Sequence, residues 1–142
     1  MIYTLLTKKA INIMFNAHKD QFDKSRVPYV FHPFHVAESM DDEYSTIVAL
    51  LHDVVEDTNI TISDLAKEFP NEVIEALKLM THDPNEDYFE YILKIKNNLI
   101  AKKVKISDLK HNMDTSRMED LTEWDLKRLE KYKKAFNILK EN

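Results

Sequence analysis

Cysteine and glycine are both missing from the 142 residues, and each absence removes a different chemistry. Without cysteine there are no disulfides, no thiolate zinc sites and no thiol nucleophile. Without glycine the chain lacks the residue that turns most sharply and lets a ligand approach the backbone most closely. That excludes a P-loop, a dinucleotide fingerprint and a nucleophile elbow, and it disfavours tight primed hairpins. Apolar runs are short as well: none approaches the roughly 18 residues of a membrane span. Met1 to Phe15 carries Lys8 and Lys9 after a very short apolar patch, the wrong order and length for a signal peptide. A cytoplasmic protein with no membrane partner is expected. The net charge of −5 argues against nonspecific nucleic-acid binding, while local lysines remain available to a small anion.

No segment holds a period of two, so the expected fold is all-α, in one domain spanning residues 1–142. The first helix is predicted over residues 3–20, with Leu6, Ala10, Ile13, Met14 and Ala17 as its buried stripe and His18 at the edge. Residues 20–31 mix charge, Pro28 and two aromatics, and read as a loop that crosses or lids something. Pro33 suits the first turn of a helix that starts at His32 and runs to Ser39 or Met40. Asp41 or Asp42 caps a central helix over 43–57. Thr61 with Asp64 caps a helix through Phe69, and Pro70-Asn71 opens another through Thr81. After the turn signal Asp83-Pro84-Asn85, helices are predicted over 86–98, 99–114 and 122–140.

Within the central helix, Leu50-Leu51-His52-Asp53-Val54-Val55-Glu56-Asp57 sets four ionisable groups into an apolar run. At about 100° per residue, His52, Asp53, Glu56 and Asp57 fall within about 140° of one another, opposite Ile47, Leu50, Leu51, Val54 and Val55. Ser45 and Ala49 project between the charged directions and are small enough to leave room for something bulky. On the helix over 99–114, Ala101, Lys105, Asp108, Asn112 and Thr115 share one face, opposite Ile106, Leu109 and Met113. His32, the His52-Asp53 pair and Asp108 together offer the nitrogen and oxygen donors that a divalent metal needs at an enzyme site. Adjacent residues diverge on a helix, so the doublet chelates one ion only at a shallow angle and needs ligands from other helices.

Four stretches in order, Tyr29-Val30-Phe31-His32-Pro33, Val36-Ala37, Leu50 to Thr58, and Val104-Lys105-Ile106-Ser107-Asp108 with Asn112, resemble the HD-domain metal-dependent phosphohydrolases. Within that family the likeness is to the (p)ppGpp hydrolase domains of Rel/SpoT type and their single-domain relatives. It implies a compact HD-domain helical bundle in which His32, His52, Asp53 and Asp108 bind a divalent metal, Mn²⁺ in this branch. It further implies that Glu56 and Asp57 position and deprotonate the attacking water, that Lys24 meets substrate phosphates, and that Asn112 and Thr115 contact the nucleotide. The implied reaction removes the 3′-pyrophosphate of a guanosine alarmone; with no room for a synthetase domain, the activity is expected to be degradative only. The chain departs from that family where alarmone hydrolases generally carry arginines, reading Gln21-Phe22-Asp23-Lys24 instead.

Plainer readings stand beside these. An amphipathic surface helix accounts for the four charges of the central run when they are taken alone. Lys105 is a candidate phosphate contact or a salt-bridge partner for the acids of its own face, and Asn112 and Thr115 also suit local bonds near a helix end. His35 is an outer partner of the metal site or a surface residue, whereas His18, His82 and His111 read as structural or solvated. Arg117 is a candidate extra anion contact or, more plainly, an exposed arginine; Lys127, Arg128, Lys131, Lys133 and Lys134 read as a solvated face, and Tyr88, Phe89, Tyr91 and Trp124 as core or interface rather than a base-stacking platform. Two rivals to the alarmone reading remain: a nucleotide phosphatase of the same fold acting on a mononucleotide, deoxynucleotide or dinucleotide 2′-phosphate, and a nucleotide-sensing module without catalysis.

Overall fold

Side-chain caps fix most of the helix starts in the computed structural model, which describes residues 1–141. Among these residues nine helices follow in order: α1 (Leu5–His18), α2 (Phe31–Glu38), α3 (Glu43–Leu51), α4 (Val54–Asp57), α5 (Ile62–Ala66), α6 (Asn71–Met80), α7 (Tyr88–Lys96), α8 (Leu99–Met113) and α9 (Glu123–Lys140). Thr4, Thr61 and Thr122 each form a reciprocal capping box, with Thr7, Asp64 and Asp125 respectively. Asp42, Asp87 and Asn98 accept amides of α3, α7 and α8. Each cap satisfies an N–H that has no partner inside its helix, worth about 1 kcal/mol. The all-α expectation holds, with an isolated antiparallel bridge between Phe22 and Pro28.

α3 runs through the centre, packed by α1, α2, α6 and α8, while α9 lies across α7 and α8. Every residue from Ser45 to Leu51 is buried, and burying each large aliphatic among them contributes roughly 1.5–3 kcal/mol. This corrects the expectation of an open approach at Ser45 and Ala49. Their small side chains admit neighbouring helices instead, and the Ser45 hydroxyl donates to Asp42 Oδ2 at 2.7 Å.

Several helix limits also differ from the sequence reading, including α7, which Asp87 caps so that it starts at Tyr88 rather than Glu86. The first helix is shorter at both ends, because the Thr4 cap fixes its start at Leu5 and the Gln21 amide closes a turn on His18 O at 2.9 Å. α5 stops at Ala66, where the Glu68 and Phe69 amides both turn back to Leu65 O. The helix expected over 43–57 is interrupted at His52-Asp53. There His52 Nδ1–H donates to Ala49 O at 2.6 Å, taking the carbonyl that the Asp53 amide would use in an unbroken helix. Asp53 accordingly sits at φ −99°, ψ −6°, outside the ideal helical well.

The loop after α1 is held by its own backbone and by Asp23, whose Oδ1 accepts the amides of Ser25 and Val27 at 2.8 and 2.9 Å. Arg26 adopts φ 66°, the left-handed conformation that glycine takes most easily; this glycine-free chain uses arginine there. His18, expected at a helix edge, is fully buried with Nδ1 2.8 Å from Gln21 Oε1, which ties the loop's first residues to α1.

Candidate active site

The helix break at His52-Asp53 turns both side chains of the doublet toward one point. α2 brings His32 to it and α8 brings Asp108. His32 Nε2 lies 2.8 Å from Asp108 Oδ1 and 3.6 Å from Asp53 Oδ2. His52 Nε2 lies 3.1 Å from Asp53 Oδ2 and 3.3 Å from Asp108 Oδ1. One ligand atom from each of the four residues falls within 4.8 Å of all the others. Two imidazole nitrogens and two carboxylate oxygens suit a divalent transition metal. His52 Nδ1–H donates to Ala49 O at 2.6 Å, which orients the ring so that Nε2 is the nitrogen aimed at this point.

The charges around this point are strongly coupled. Burial opposes ionisation of Asp108, but Lys105, His32 and His52 overcome it and hold the carboxyl far below its usual range. Burial likewise opposes the charged form of Asp53, and His52 overrides it, so Asp53 is also strongly acidic. Lys105 Nζ donates to Asp108 Oδ2 at 2.8 Å and Asn112 Nδ2 to Asp108 Oδ1 at 3.2 Å. On the other side Tyr29 Oη donates to Asp53 Oδ2 at 2.6 Å, and burial followed by the Asp53 charge keeps that phenol protonated.

One turn beyond the doublet, α4 carries Glu56 and Asp57. Burial and then the nearby Asp53 charge push both carboxyls above their ordinary values. The His82 amide donates to Glu56 Oε1 at 2.5 Å, so Oε2 is the freer oxygen. Both acids line a cavity of about 410 Å³ together with His32, Asp53 and Asp108. Lys24, Lys105 and Asn112 line it too; Thr115 is not part of the lining. Thr115 lies in the turn after α8, where its carbonyl accepts the Met118 amide at 2.9 Å.

Several cavity residues were given a plainer reading from the sequence. Arg117, a candidate anion contact read more plainly as exposed, lines the cavity, pairs with Asp23 at 3.6 Å and places Nη1 3.2 Å from His111 Nε2. Arg128, read as part of a solvated face, also lines it and donates from Nε to Tyr132 Oη at 2.8 Å. Its spacing held a signal: Trp124, Arg128 and Tyr132 recur every four residues and so share one stripe of α9. Lys24 Nζ sits 3.2 Å from the centroid of Trp124, and a second recess of about 480 Å³ continues past this pair. His111, read as structural or solvated, packs against His32 with the two Nδ1 atoms 2.6 Å apart. Burial, then the proximity of His32 and Arg117, pushes its pKa down to about 4. Tyr91, by contrast, is core, donating to Met80 O at 2.7 Å.

No family model matches the chain. Curated relatives do. The guanosine-3′,5′-bis(diphosphate) 3′-pyrophosphohydrolase of Borreliella burgdorferi is 33% identical over 124 residues, covering 75% of this chain and 18% of the relative. The bifunctional (p)ppGpp synthase/hydrolase SpoT of Escherichia coli K12 is 32% identical over 123 residues, 76% of this chain and again 18% of the relative. The chain thus spans less than a fifth of the length of these larger proteins. It matches a small relative more fully: the guanosine-3′,5′-bis(diphosphate) 3′-pyrophosphohydrolase MESH1 of Drosophila melanogaster is 31% identical over 121 residues, 78% of this chain and 68% of that protein. A solved structure, described as a metazoan ortholog of SpoT that hydrolyzes ppGpp, superimposes with a TM-score of 0.78. It covers 99% of this chain and 88% of the other at 23% identity, and so establishes the shared fold.

Proposed function

The chain belongs to the guanosine-3′,5′-bis(diphosphate) 3′-pyrophosphohydrolase family, and on that premise we propose that it hydrolyses the 3′-pyrophosphate of a (p)ppGpp-like alarmone. In this reaction water cleaves the 3′ ester linkage and releases pyrophosphate from the nucleoside 5′-diphosphate. One observation carries the reading: four ligand atoms within 4.8 Å of one another stand beside an acid pair in a cavity that also presents four cationic side chains, Lys24, Lys105, Arg117 and Arg128.

His32, His52, Asp53 and Asp108 hold a divalent cation, taken to be Mn²⁺. Bound there, the cation supplies Lewis acidity, lowering the pKa of water and taking up charge on a phosphoryl oxygen. Glu56 and Asp57 orient the attacking water. Glu56 Oε1 is occupied by the His82 amide, so Oε2 accepts the proton, a contribution of about 10²–10⁴ in rate for a positioned base. Lys105 neutralises Asp108 from within hydrogen-bond distance and faces the same cavity. Lys24, Arg117 and Arg128 meet the phosphates as charged donors, while Asn112 and, at the margin, Thr115 contact the nucleoside. Tyr29 fixes the Asp53 carboxylate that its hydroxyl already holds.

The substrate is a free nucleotide and the compartment is taken as the cytoplasm; no described helix is long and apolar enough to cross a membrane. The test is a substrate panel assayed on purified protein loaded with Mn²⁺, other divalent metals, or a chelator. Metal-dependent pyrophosphate release from ppGpp supports the proposal. Robust phosphate release from mononucleotides or a dinucleotide 2′-phosphate, with no alarmone turnover, overturns it, and nucleotide binding without any hydrolysis favours a sensing role.

A further inference from the structure

We propose that His82 is the positioning residue of the water-activating base: its main-chain amide fixes one Glu56 oxygen, and its ring fixes that amide. This role rests on the reading of Glu56 as the base and adds what holds the base at the cavity.

Glu56 needs holding. It is a long, flexible and exposed side chain on a helix of four residues, and a misplacement of about 1 Å at a reacting centre costs on the order of 10²-fold in rate. Its donor is the His82 N–H, 26 residues along the chain and 2.5 Å from Oε1. That N–H is available because α6 ends one residue before it. Thr81 leaves the helix at φ −83°, ψ 104°, with its own N–H still bonded to Leu77 O at 3.1 Å and its hydroxyl to the same carbonyl at 2.9 Å. The extended ψ turns the next peptide out of the helical ladder, so the His82 N–H is given to α4 instead of to α6.

The ring pins this peptide. His82 Nε2 lies 2.9 Å from Glu86 O, a group that only accepts, so Nε2–H donates whatever charge the ring carries. The ring also packs against Tyr91 with centroids 4.6 Å apart and meets Tyr88 edge-on at 6.0 Å, contacts that fix its plane. Tyr91 is anchored in turn, its Oη donating to Met80 O at 2.7 Å. Residues 80–91 thus close around the His82 ring and present its amide to Glu56. With Oε1 engaged there, Oε2 is the oxygen left for the cavity that Glu56 lines.

The test is a variant series of the full Mn²⁺-loaded chain assayed on ppGpp. His82→Pro removes the N–H and suits the extended Thr81 before it; kcat should fall by about 10–100-fold, while KM stays within about threefold. His82→Ala keeps the amide, loses the pin and should lose less rate, and His82→Gln, whose side-chain amide can donate to Glu86 O, should recover most of that loss. The deciding comparison is the Glu56→Gln background. With the base gone there is nothing left to position, so His82→Pro should cost less than about threefold there, whereas a residue that only stabilises the loop would cost the same factor in both. Hydrogen exchange of the His82 amide in the metal-free protein decides the case in which His82→Pro does not fold: it should quicken by about tenfold or more in Glu56→Ala. Parental kcat in His82→Pro, an equal penalty in both backgrounds, or exchange indifferent to Glu56→Ala overturns the positioning role and leaves Glu56 as the base. A Glu56→Gln variant that turns over like the parent overturns both.

Discussion

Replacing Glu56 by glutamine separates catalysis from folding at this site. The amide oxygen of the substituted side chain can still accept the His82 amide that Glu56 Oε1 holds at 2.5 Å, so that contact is kept. The four side chains proposed to hold the metal are untouched, and metal affinity should stay within about threefold of the parent. What disappears is the base at Oε2. A positioned general base contributes about 10²–10⁴ in rate, which at about 1.4 kcal/mol per tenfold is roughly 2.7–5.5 kcal/mol of activation free energy. Steady-state kinetics on ppGpp, with Mn²⁺ binding measured calorimetrically on the same preparations, reads both quantities. Burial and then the Asp53 charge raise the Glu56 carboxyl, so kcat/KM of the parent should fall with decreasing pH from above the ordinary carboxylate range, as the base protonates. The Glu56→Gln variant should lose that limb along with the rate. Turnover within threefold of the parent, at normal metal content, would remove Glu56 from the mechanism.

Other perturbations report on separate parts of the account. Asp53→Ala removes one ligand and the acceptor of Tyr29 Oη; metal affinity should fall by at least about 100-fold, beyond the usual effect of outer partners, with activity lost in parallel. Arg128→Ala should raise KM for a polyphosphorylated nucleotide by about 10–100-fold through the loss of a charged donor worth about 1.5–3 kcal/mol, with a much smaller change in kcat; an unaltered KM would return Arg128 to the solvated surface. Asp42→Ala should lower stability by about 1–2 kcal/mol in urea melts, because Asp42 accepts both the Ser45 amide and hydroxyl. Partial burial works against ionisation of Asp42, but Ser45 and Lys103 override it and its pKa is depressed. The stabilisation is thus complete above the unfolded carboxyl value of about 3.9 and is lost as pH falls through the lower folded value, so the gap between parent and variant should close in acid.

The helices were legible because their signals are local. Thr61 with Asp64, and Asp42, each cap the helix that the sequence assigns to them, and the apolar run of α3 does form the centre of the core. The juxtaposition of His32, His52, Asp53 and Asp108 was also anticipated, because motif order along the chain carries it. Missing from the sequence was the break at His52-Asp53, which depends on a side chain competing for the Ala49 carbonyl and leaves no composition signature. Arg128 and His111 escaped, and Arg117 was only a secondary candidate, for another reason. Each is a polar residue on a polar stretch, and only the packing of α9 and the 113–122 turn against α8 decides that these groups face a cavity. Small residues misled in the opposite direction: Ser45 and Ala49 suggested an open face, whereas helices close over them.

The most direct test of the central claim is to follow guanosine 3′,5′-bis(diphosphate) by ³¹P NMR in the presence of the Mn²⁺-loaded protein, removing the metal before acquisition. The account predicts inorganic pyrophosphate and the guanosine 5′-diphosphate in equal amounts, with no reaction when chelator is present from the start. An intact alarmone beside ready release of monophosphate from other nucleotides would contradict it.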